Sequence, residues 1–315
     1  MNVLITGAAG FVGKHLIKYL QSIGQDNISV LVLKQEEVDS VNEYKVDVHI
    51  ADILDMDSLK NVISDVNPDQ IYHLAAQSSV GLSWSHPALT ADVNIKGTIN
   101  LLEAARYIAI SPRILLVGSG DEYGNPVIQD MLLSENAKLA PTNVYAVTKA
   151  CQNMLGSVYA HAYNMDIVMT RAFNHIGPGQ SPVFVVSDFC KQAVEIAKGK
   201  AEPVIKVGNI AARRDFTDVR DVVRAYALLM QKGITGETYN ISSNKSVSIN
   251  EILDIIISQF TMNISIEVEM GRYRPTDAAV LEADSTKLRD LTGWENLISL
   301  EQSIKDTIGY WEEVV

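Results

Sequence analysis

Tyr145 and Lys149 stand four residues apart, so on a helix their side chains share one face. A free phenol titrates near 10, too high for efficient proton transfer at neutral pH. An ammonium ~4 Å away favours the phenolate by ~4 kcal/mol at an effective dielectric of about 20, until desolvation opposes it. Such a couple can hand a proton to a carbonyl oxygen or take one from a hydroxyl. Tyrosine and lysine meet at this spacing on many helices, and the pair gains weight from Ser119. That serine ends the run Leu116-Val117-Gly118-Ser119, and strand ends of a parallel sheet are where ligands sit. Its hydroxyl can bond the same substrate oxygen; the bland alternative is a turn residue.

A second constellation lies near the start, in Thr6-Gly7-Ala8-Ala9-Gly10-Phe11-Val12-Gly13. Gly7 allows a tight turn after an apolar strand, Gly10 lets a pyrophosphate approach the backbone, and Gly13 lets helix and strand pack closely. The N–H groups of the first helical turn, beginning at Phe11 and Val12, then face the anion. The spacing is G-x-x-G-x-x-G, not the commoner G-x-G-x-x-G. A dinucleotide site follows, with the Tyr–Lys–Ser set acting as hydride moves and Lys149 holding the nicotinamide ribose. The second strand ends Val30-Leu31-Val32-Leu33-Lys34, without the carboxylate that an NAD-specific fold offers to the adenosine ribose. Lys34 suits a 2′-phosphate, which favours NADP and leaves NAD open; a solvated surface lysine is the competing reading. Asp52 and Ile53, past the third strand, are placed to flank the adenine, although an acid there is also a common loop residue.

These residues, in this order, resemble the extended short-chain dehydrogenase/reductases, the group of nucleotide-sugar epimerases and dehydratases. The resemblance spans the chain and rests on Thr6–Gly13, Leu74-Ala75-Ala76-Gln77, Asn94 within Val93–Thr98, the Ser119 segment, Tyr145/Lys149, Asn174 and two arginine loops, Gly208–Asp218 and Gly271–Asp277. It implies catalysis by Ser119, Tyr145 and Lys149, and places Leu74, Ala75, Ala76 and Asn94 beside the coenzyme. It puts Asn174, Arg214 and Arg274 on a substrate diphosphate and Asp277 on a ribose. Guanidinium forks suit a diphosphate, while surface salt bridging is the plain alternative for Arg213, Arg214, Arg272 and Arg274.

Arg171–Gln180 and Gly208–Asp218 lean toward the group's reductases, which use NADPH on the C4 ketone of a GDP-4-keto-6-deoxyhexose to form GDP-D-rhamnose or a close relative. The acids bear on the alternative. Dehydratases of the dTDP-glucose type carry Asp-Glu directly after the catalytic hydroxyl, and those of the GDP-mannose type a glutamate two residues on. Here Gly120 follows Ser119, and Asp121 takes the glutamate's place, shorter by one methylene. Gly120 is expected to loosen that loop. A 4,6-dehydratase or a 4-epimerase recycling bound NAD(P) therefore remains the second reading. A silent redox-sensing regulator is a third, and the intact Ser119/Tyr145/Lys149 set argues against it. The resemblance further implies a homodimer through a four-helix bundle of Asp92–Ile108 and Val144–Tyr163. Leu101, Leu102, Met154, Leu155 and Val158 either face that bundle or fill the core.

The elements that must position these groups alternate through the first half. Asn2–Thr6, Ile28–Leu33, Val46–Ile50, Gln70–Leu74, Arg113–Val117 and Asp166–Thr170 are short apolar runs without strict alternation, as strands covered on both faces read. Phe11–Ile23, Ser58–Asn67, Asp92–Ile108 and Val144–Tyr163 are amphipathic between them. The expected fold is α/β, a Rossmann-type doubly wound parallel sheet with a smaller C-terminal α/β substrate-binding lobe. Residues 1–171 form the dinucleotide domain, with a return near 205–246, and 172–204 with 247–315 form the lobe.

Composition agrees. The 315 residues are 47% hydrophobic and 20% charged, which is ordinary globular usage. A net charge of −12 and a pI near 4.9 give no basic footprint for nucleic acid or anionic membrane. Cys151 and Cys190 make neither a disulfide framework nor a metal spacing, so no metal is expected. No run reaches the length of a membrane span, and the first residues lack a basic leader, which reads as a cytoplasmic protein.

Overall fold

The computed structural model describes residues 1–108, 111–125, 132–269, 271 and 280–315. The chain begins with β1 (Val3–Thr6), α1 (Phe11–Ser22), β2 (Ile28–Val32), α2 (Gln35–Asn42), β3 (Asp47–Ile50), α3 (Met56–Val66) and β4 (Gln70–His73). Then come α4 (Val80–Ser85), α5 (Pro87–Ala91), a π-turn at Asp92–Lys96, α6 (Gly97–Tyr107) and β5 (Arg113–Ser119). A 3₁₀ turn at Gly120–Tyr123, α7 (Val144–Tyr163) and β6 (Ile167–Ala172) follow. The rest is β7 (Asn174–Ile176), α8 (Val185–Ala197), β8 (Val204–Val207), β9 (Arg213–Asp218), α9 (Val219–Lys232), β10 (Thr238–Ile241), β11 (Ser246–Ser248), α10 (Ile249–Ser258), β12 (Ser265–Val268), β13 (Val280–Leu281), α11 (Thr286–Thr292) and α12 (Leu300–Val314).

The central sheet runs β10-β6-β5-β4-β1-β2-β3, with every pairing parallel. β1, β4 and β6 are buried from end to end, which is why their sequences lack polar alternation. One face packs Leu16, Ile17 and Leu20 of α1 against Val222, Val223 and Leu229 of α9. The other packs Leu59 and Ile63 of α3, Leu101 and Leu102 of α6, and Tyr159 of α7. The strand order reverses between β1 and β4, and a crevice opens there at the carboxyl ends.

A separate core joins α8, α10 and α12 through Phe189, Ile252, Leu253 and Ile304. It lies beside two small sheets: β9 flanked by β7, β11 and β13, and β8 paired with β12. Arg213–Asp218, read from sequence as part of a loop, is the strand β9, tied to the main chain of three neighbours. Of the stretch near 205–246 expected to return to the central sheet, α9 covers it and β10 registers with Met169–Ala172. β8 and β9 belong to the small sheets instead, because β12 and β11 satisfy their hydrogen bonds.

Gly7 turns the chain out of β1 with φ +68°, and a Cβ there would lie 2.7 Å from the Ala75 backbone. Both features demand glycine. Gly7→Ala is expected to destabilise the chain by about 1–3 kcal/mol, read as a lower denaturant midpoint; an unchanged midpoint contradicts this geometry.

Candidate active site

A cleft of about 1170 Å³ runs along the carboxyl ends of the central strands. Pockets for one small molecule span roughly 300–1,000 Å³, so this one exceeds the upper end of that range. Gly7, Gly10, Phe11, Val12 and Gly13 form one wall. Gly10 starts α1 without a side-chain cap, whereas α3, α7 and α9 are capped by Asp55, Asn143 and Asp218. The first N–H groups of α1 thus remain available to an anion. At Gly13 a Cβ would meet the Ala8 carbonyl at 2.4 Å, the close helix–strand approach that the spacing predicts. Leu74, Ala75 and Ala76 after β4, with Asp52 and Ile53 after β3, complete this half.

Ser119, Tyr145 and Lys149 line the other half together. Asn143 Oδ1 accepts the Ala146 N–H at 2.8 Å, starting α7 one residue after the cap with Val144 and then Tyr145. Gly156 lets α7 settle onto the sheet, since a Cβ there would come within 2.8 Å of Leu116 and Met169. Lys149 Nζ donates to the Val117 carbonyl at 2.8 Å and to Gln152 Oε1 at 3.1 Å. Burial lowers its pKa from 10.5 to about 8, with the Glu122 charge pulling the other way.

The Lys149 ammonium is turned to the sheet edge and does not hydrogen-bond the Tyr145 phenol. Burial and the Asp121 carboxylate raise the Tyr145 pKa above its usual value, the Ser119 side chain pulls it down, and Glu122 adds to the rise. These protein groups together favour the neutral phenol at Tyr145.

Asp121, Asn174 and Arg214 line the cleft. Asn174 Nδ2 donates to the Asp215 carbonyl at 3.4 Å, and Arg214 Nη1 to the Arg213 carbonyl at 2.8 Å. Arg213 instead serves the fold, donating to Ser246 O at 2.7 Å and pairing with Glu251 at 3.0 Å. Arg272, Arg274 and Asp277 lie outside the described residues.

Three further positions are placed as follows. Lys34 is exposed at the start of α2, between Leu33 and Glu36, which line the cleft. Asn94 is fully buried behind the wall, where it bonds Gln77 N at 2.8 Å, Gln77 O at 3.0 Å and Thr148 Oγ1 at 2.9 Å. It braces the Ala75–Gln77 wall against α7. At Gly120 a Cβ would lie 2.9 Å from the Phe173 ring, so the close approach of that ring accounts for glycine there.

Other lining residues escaped the sequence reading. Glu36 and Glu37, in the first turn of α2, line the cleft near the end of β2, with the Glu37 carboxylate accepting the Leu33 N–H at 2.9 Å. Trp84, Phe184 and Tyr226 also line the cleft, and the buried Tyr226 hydroxyl has no hydrogen-bond partner. Among the described residues, no cluster of His, Cys, Asp and Glu can hold a metal ion.

Residues 4–307 match the sequence profile described as GDP-mannose 4,6 dehydratase. The chain belongs to that family of extended short-chain dehydrogenase/reductases. It is 31% identical to the GDP-6-deoxy-D-mannose reductase of Pseudomonas aeruginosa, over 100% of this chain and 98% of that one. The solved structure of RMD from Pseudomonas aeruginosa complexed with NADPH superposes with a TM-score of 0.88 at 31% identity, covering 100% of both chains. The UDP-glucose 4-epimerase of Thermus thermophilus, complexed with NAD, gives 0.88 at 26% identity, again over 100% of each. The chain carries Gly120-Asp121 directly after Ser119, which lines the cleft.

Two outcomes follow. Lys149 is charged below its pKa and neutral above it, so kcat/KM should fall as pH rises through about 8; a flat profile across that range contradicts the assignment. Lys34→Ala should change the KM for NADPH by less than about twofold, whereas a role on the 2′-phosphate predicts about tenfold or more.

Proposed function

We propose that this protein reduces the C4 ketone of a GDP-linked 4-keto-6-deoxyhexose with NADPH, giving GDP-D-rhamnose or a close relative. One observation carries the reading. Ser119, Tyr145 and Lys149 converge on a dinucleotide-sized cleft in a chain similar along its whole length to a GDP-6-deoxy-D-mannose reductase. The residues fit the coenzyme: Gly7 sits where no Cβ can, α1 begins uncapped, and the Tyr226 hydroxyl lacks a protein partner. Gly7, Gly10–Gly13, Asp52, Ile53 and Leu74–Ala76 hold it, with Lys149 on the nicotinamide ribose. When bound, NADPH supplies the hydride for the ketone carbon.

The chain's own groups do the rest. Tyr145 donates its phenolic proton to the C4 oxygen, and the Ser119 hydroxyl holds that oxygen in place. Arg214 and Asn174 take the diphosphate, joined by Arg274, with Asp277 on the ribose as the family pattern implies. Glu36 and Glu37 suit a free ribose 2′-hydroxyl, so NADH is accepted beside NADPH. Residues 1–171 with α9 and β10 carry the coenzyme, and the remaining segments carry the nucleotide sugar. No helix among the described residues is long and apolar enough to cross a membrane, and a cytoplasmic setting suits both substrates.

One observation favours a second reading, a 4,6-dehydratase or 4-epimerase recycling bound NAD(P): Asp121 lines the cleft, and its charge acts on Tyr145. Incubation with the ketosugar separates them. The reductase consumes one NADPH per product, while product without net coenzyme loss supports the second reading. Tyr145→Phe should lower kcat by about 10²–10⁴-fold; unaltered turnover contradicts the proton-donor role.

A homodimer completes the proposal. Val147, Met154 and Val158 of α7 are 49%, 60% and 55% exposed, and their spacing sets them along one face. Leu101 and Leu102 are core residues and take no part. Met154→Asp with Val158→Asp should sediment as a monomer beside a dimeric parent, and a monomeric parent contradicts the interface.

A further inference from the structure

Behind the cleft lies a buried charge that the chemistry does not use directly. Glu122 is 0% exposed. Its carboxylate accepts from Ser119 N at 2.8 Å, from Asn153 Nδ2 at 2.9 and 3.0 Å, and from Arg171 Nε at 2.9 Å. Those donors belong to the last residue of β5, to α7 and to β6. Burial raises the Glu122 pKa above its usual value, while the Arg171 guanidinium and the Ser119 and Asn153 donors favour the ionised form.

The surroundings are shaped to seat it. A Cβ on Gly118 would lie 2.3 Å from Glu122 Oε1 and 2.5 Å from Asn153 Nδ2, so glycine there makes room for the carboxylate. Arg171 is itself fixed, donating to Tyr123 Oη and to the Glu135 carbonyl, both at 3.0 Å. Tyr123 passes the chain on to Asn240 Oδ1 at 2.8 Å. Asn153 sits one turn beyond Lys149 on α7 and also reaches the Thr170 carbonyl at 3.2 Å.

We propose that Glu122 is a positioning residue, whose buried carboxylate locks the Ser119 turn, the Tyr145/Lys149 helix and β6 into one frame. The proposal rests on the reading of Ser119, Tyr145 and Lys149 as the reacting set. Buried ion pairs are weak devices for stability, since apolar pairs of similar volume often serve as well. Orienting two catalytic groups from different elements is a use that apolar side chains cannot replace. The charge also acts on the site. Facing the Tyr145–Lys149 pair are His73 of β4, Asp121 and Glu122 of the 3₁₀ turn, and Tyr226 of α9. Of these, Glu122 draws the proton onto Lys149.

Two variants test the idea: Glu122→Gln, and Glu122→Met combined with Arg171→Met, which removes both buried charges so that the chain can fold without an orphan. For each, kcat and both KM values are measured with the ketosugar and NADPH, and the Kd for NADPH is followed against pH by coenzyme fluorescence. The expected result is a kcat about 100-fold lower with both KM values within about threefold. The alkaline limb of NADPH binding should also move below its position near pH 8. A folded variant with parental kcat and an unmoved limb overturns the proposal. So does failure of both variants to fold, which makes the pair structural. If the parent chain does not turn over the ketosugar, the substrate reading fails, while the binding limb still decides the role of Glu122.

Discussion

The seating of α7 on the carboxyl end of β5 is the contact on which the rest depends. A helix meets a parallel sheet through side chains that normally stay apolar to the end. Here Lys149, Gln152 and Asn153 reach main-chain carbonyls of Val117 and Thr170 instead. Val117 lies one residue beyond the last register pair of β4 and β5, His73 with Leu116. Glycines at 118 and 156 remove the side chains that would hold the layers apart. The result is a lysine ammonium and a tyrosine phenol fixed to the sheet edge instead of borne on a mobile loop.

That seating sets the electrostatics. Burial drives Lys149 toward losing its proton and Tyr145 toward keeping one. The two effects make different demands. A neutral phenol is what a proton donor requires, so desolvation supports the reductive direction. A charged lysine needs help against the same desolvation, and the nearby carboxylate of Glu122 gives it. In a protein of net charge −12 the positive character of the cleft is local, from the uncapped start of α1, Lys149 and Arg214.

Much of this was legible in the sequence. β1, β4 and β6 are buried along their whole length, and such strands announce themselves as short apolar runs. The glycine turn, Ser119 and the Tyr145/Lys149 pair stand in the cleft where their spacing places them. The small lobe was harder to read, because β9 is built from Arg213-Arg214-Asp215-Phe216-Thr217-Asp218 and owes its strand form to pairing, not to composition. The surroundings of Lys34 were not legible: the residue begins α2, while Glu37, three residues on, folds back to the end of β2. Nor did the sequence show that the Asn94 side chain is turned to the backbone of the cleft wall. The signal missed at Glu122 was a charged residue amid Gly-Ser-Gly and Tyr-Gly, where a buried turn has no place for an unpaired acid.

The claim at the centre is that hydride leaves the coenzyme for sugar C4 while Tyr145 supplies the proton. Turnover of the GDP-linked 4-keto-6-deoxyhexose with NADPH deuterated at nicotinamide C4, followed by NMR of the product, tests it most directly. The account predicts deuterium bonded to C4 of the product sugar. Product without coenzyme-derived label at C4 contradicts it.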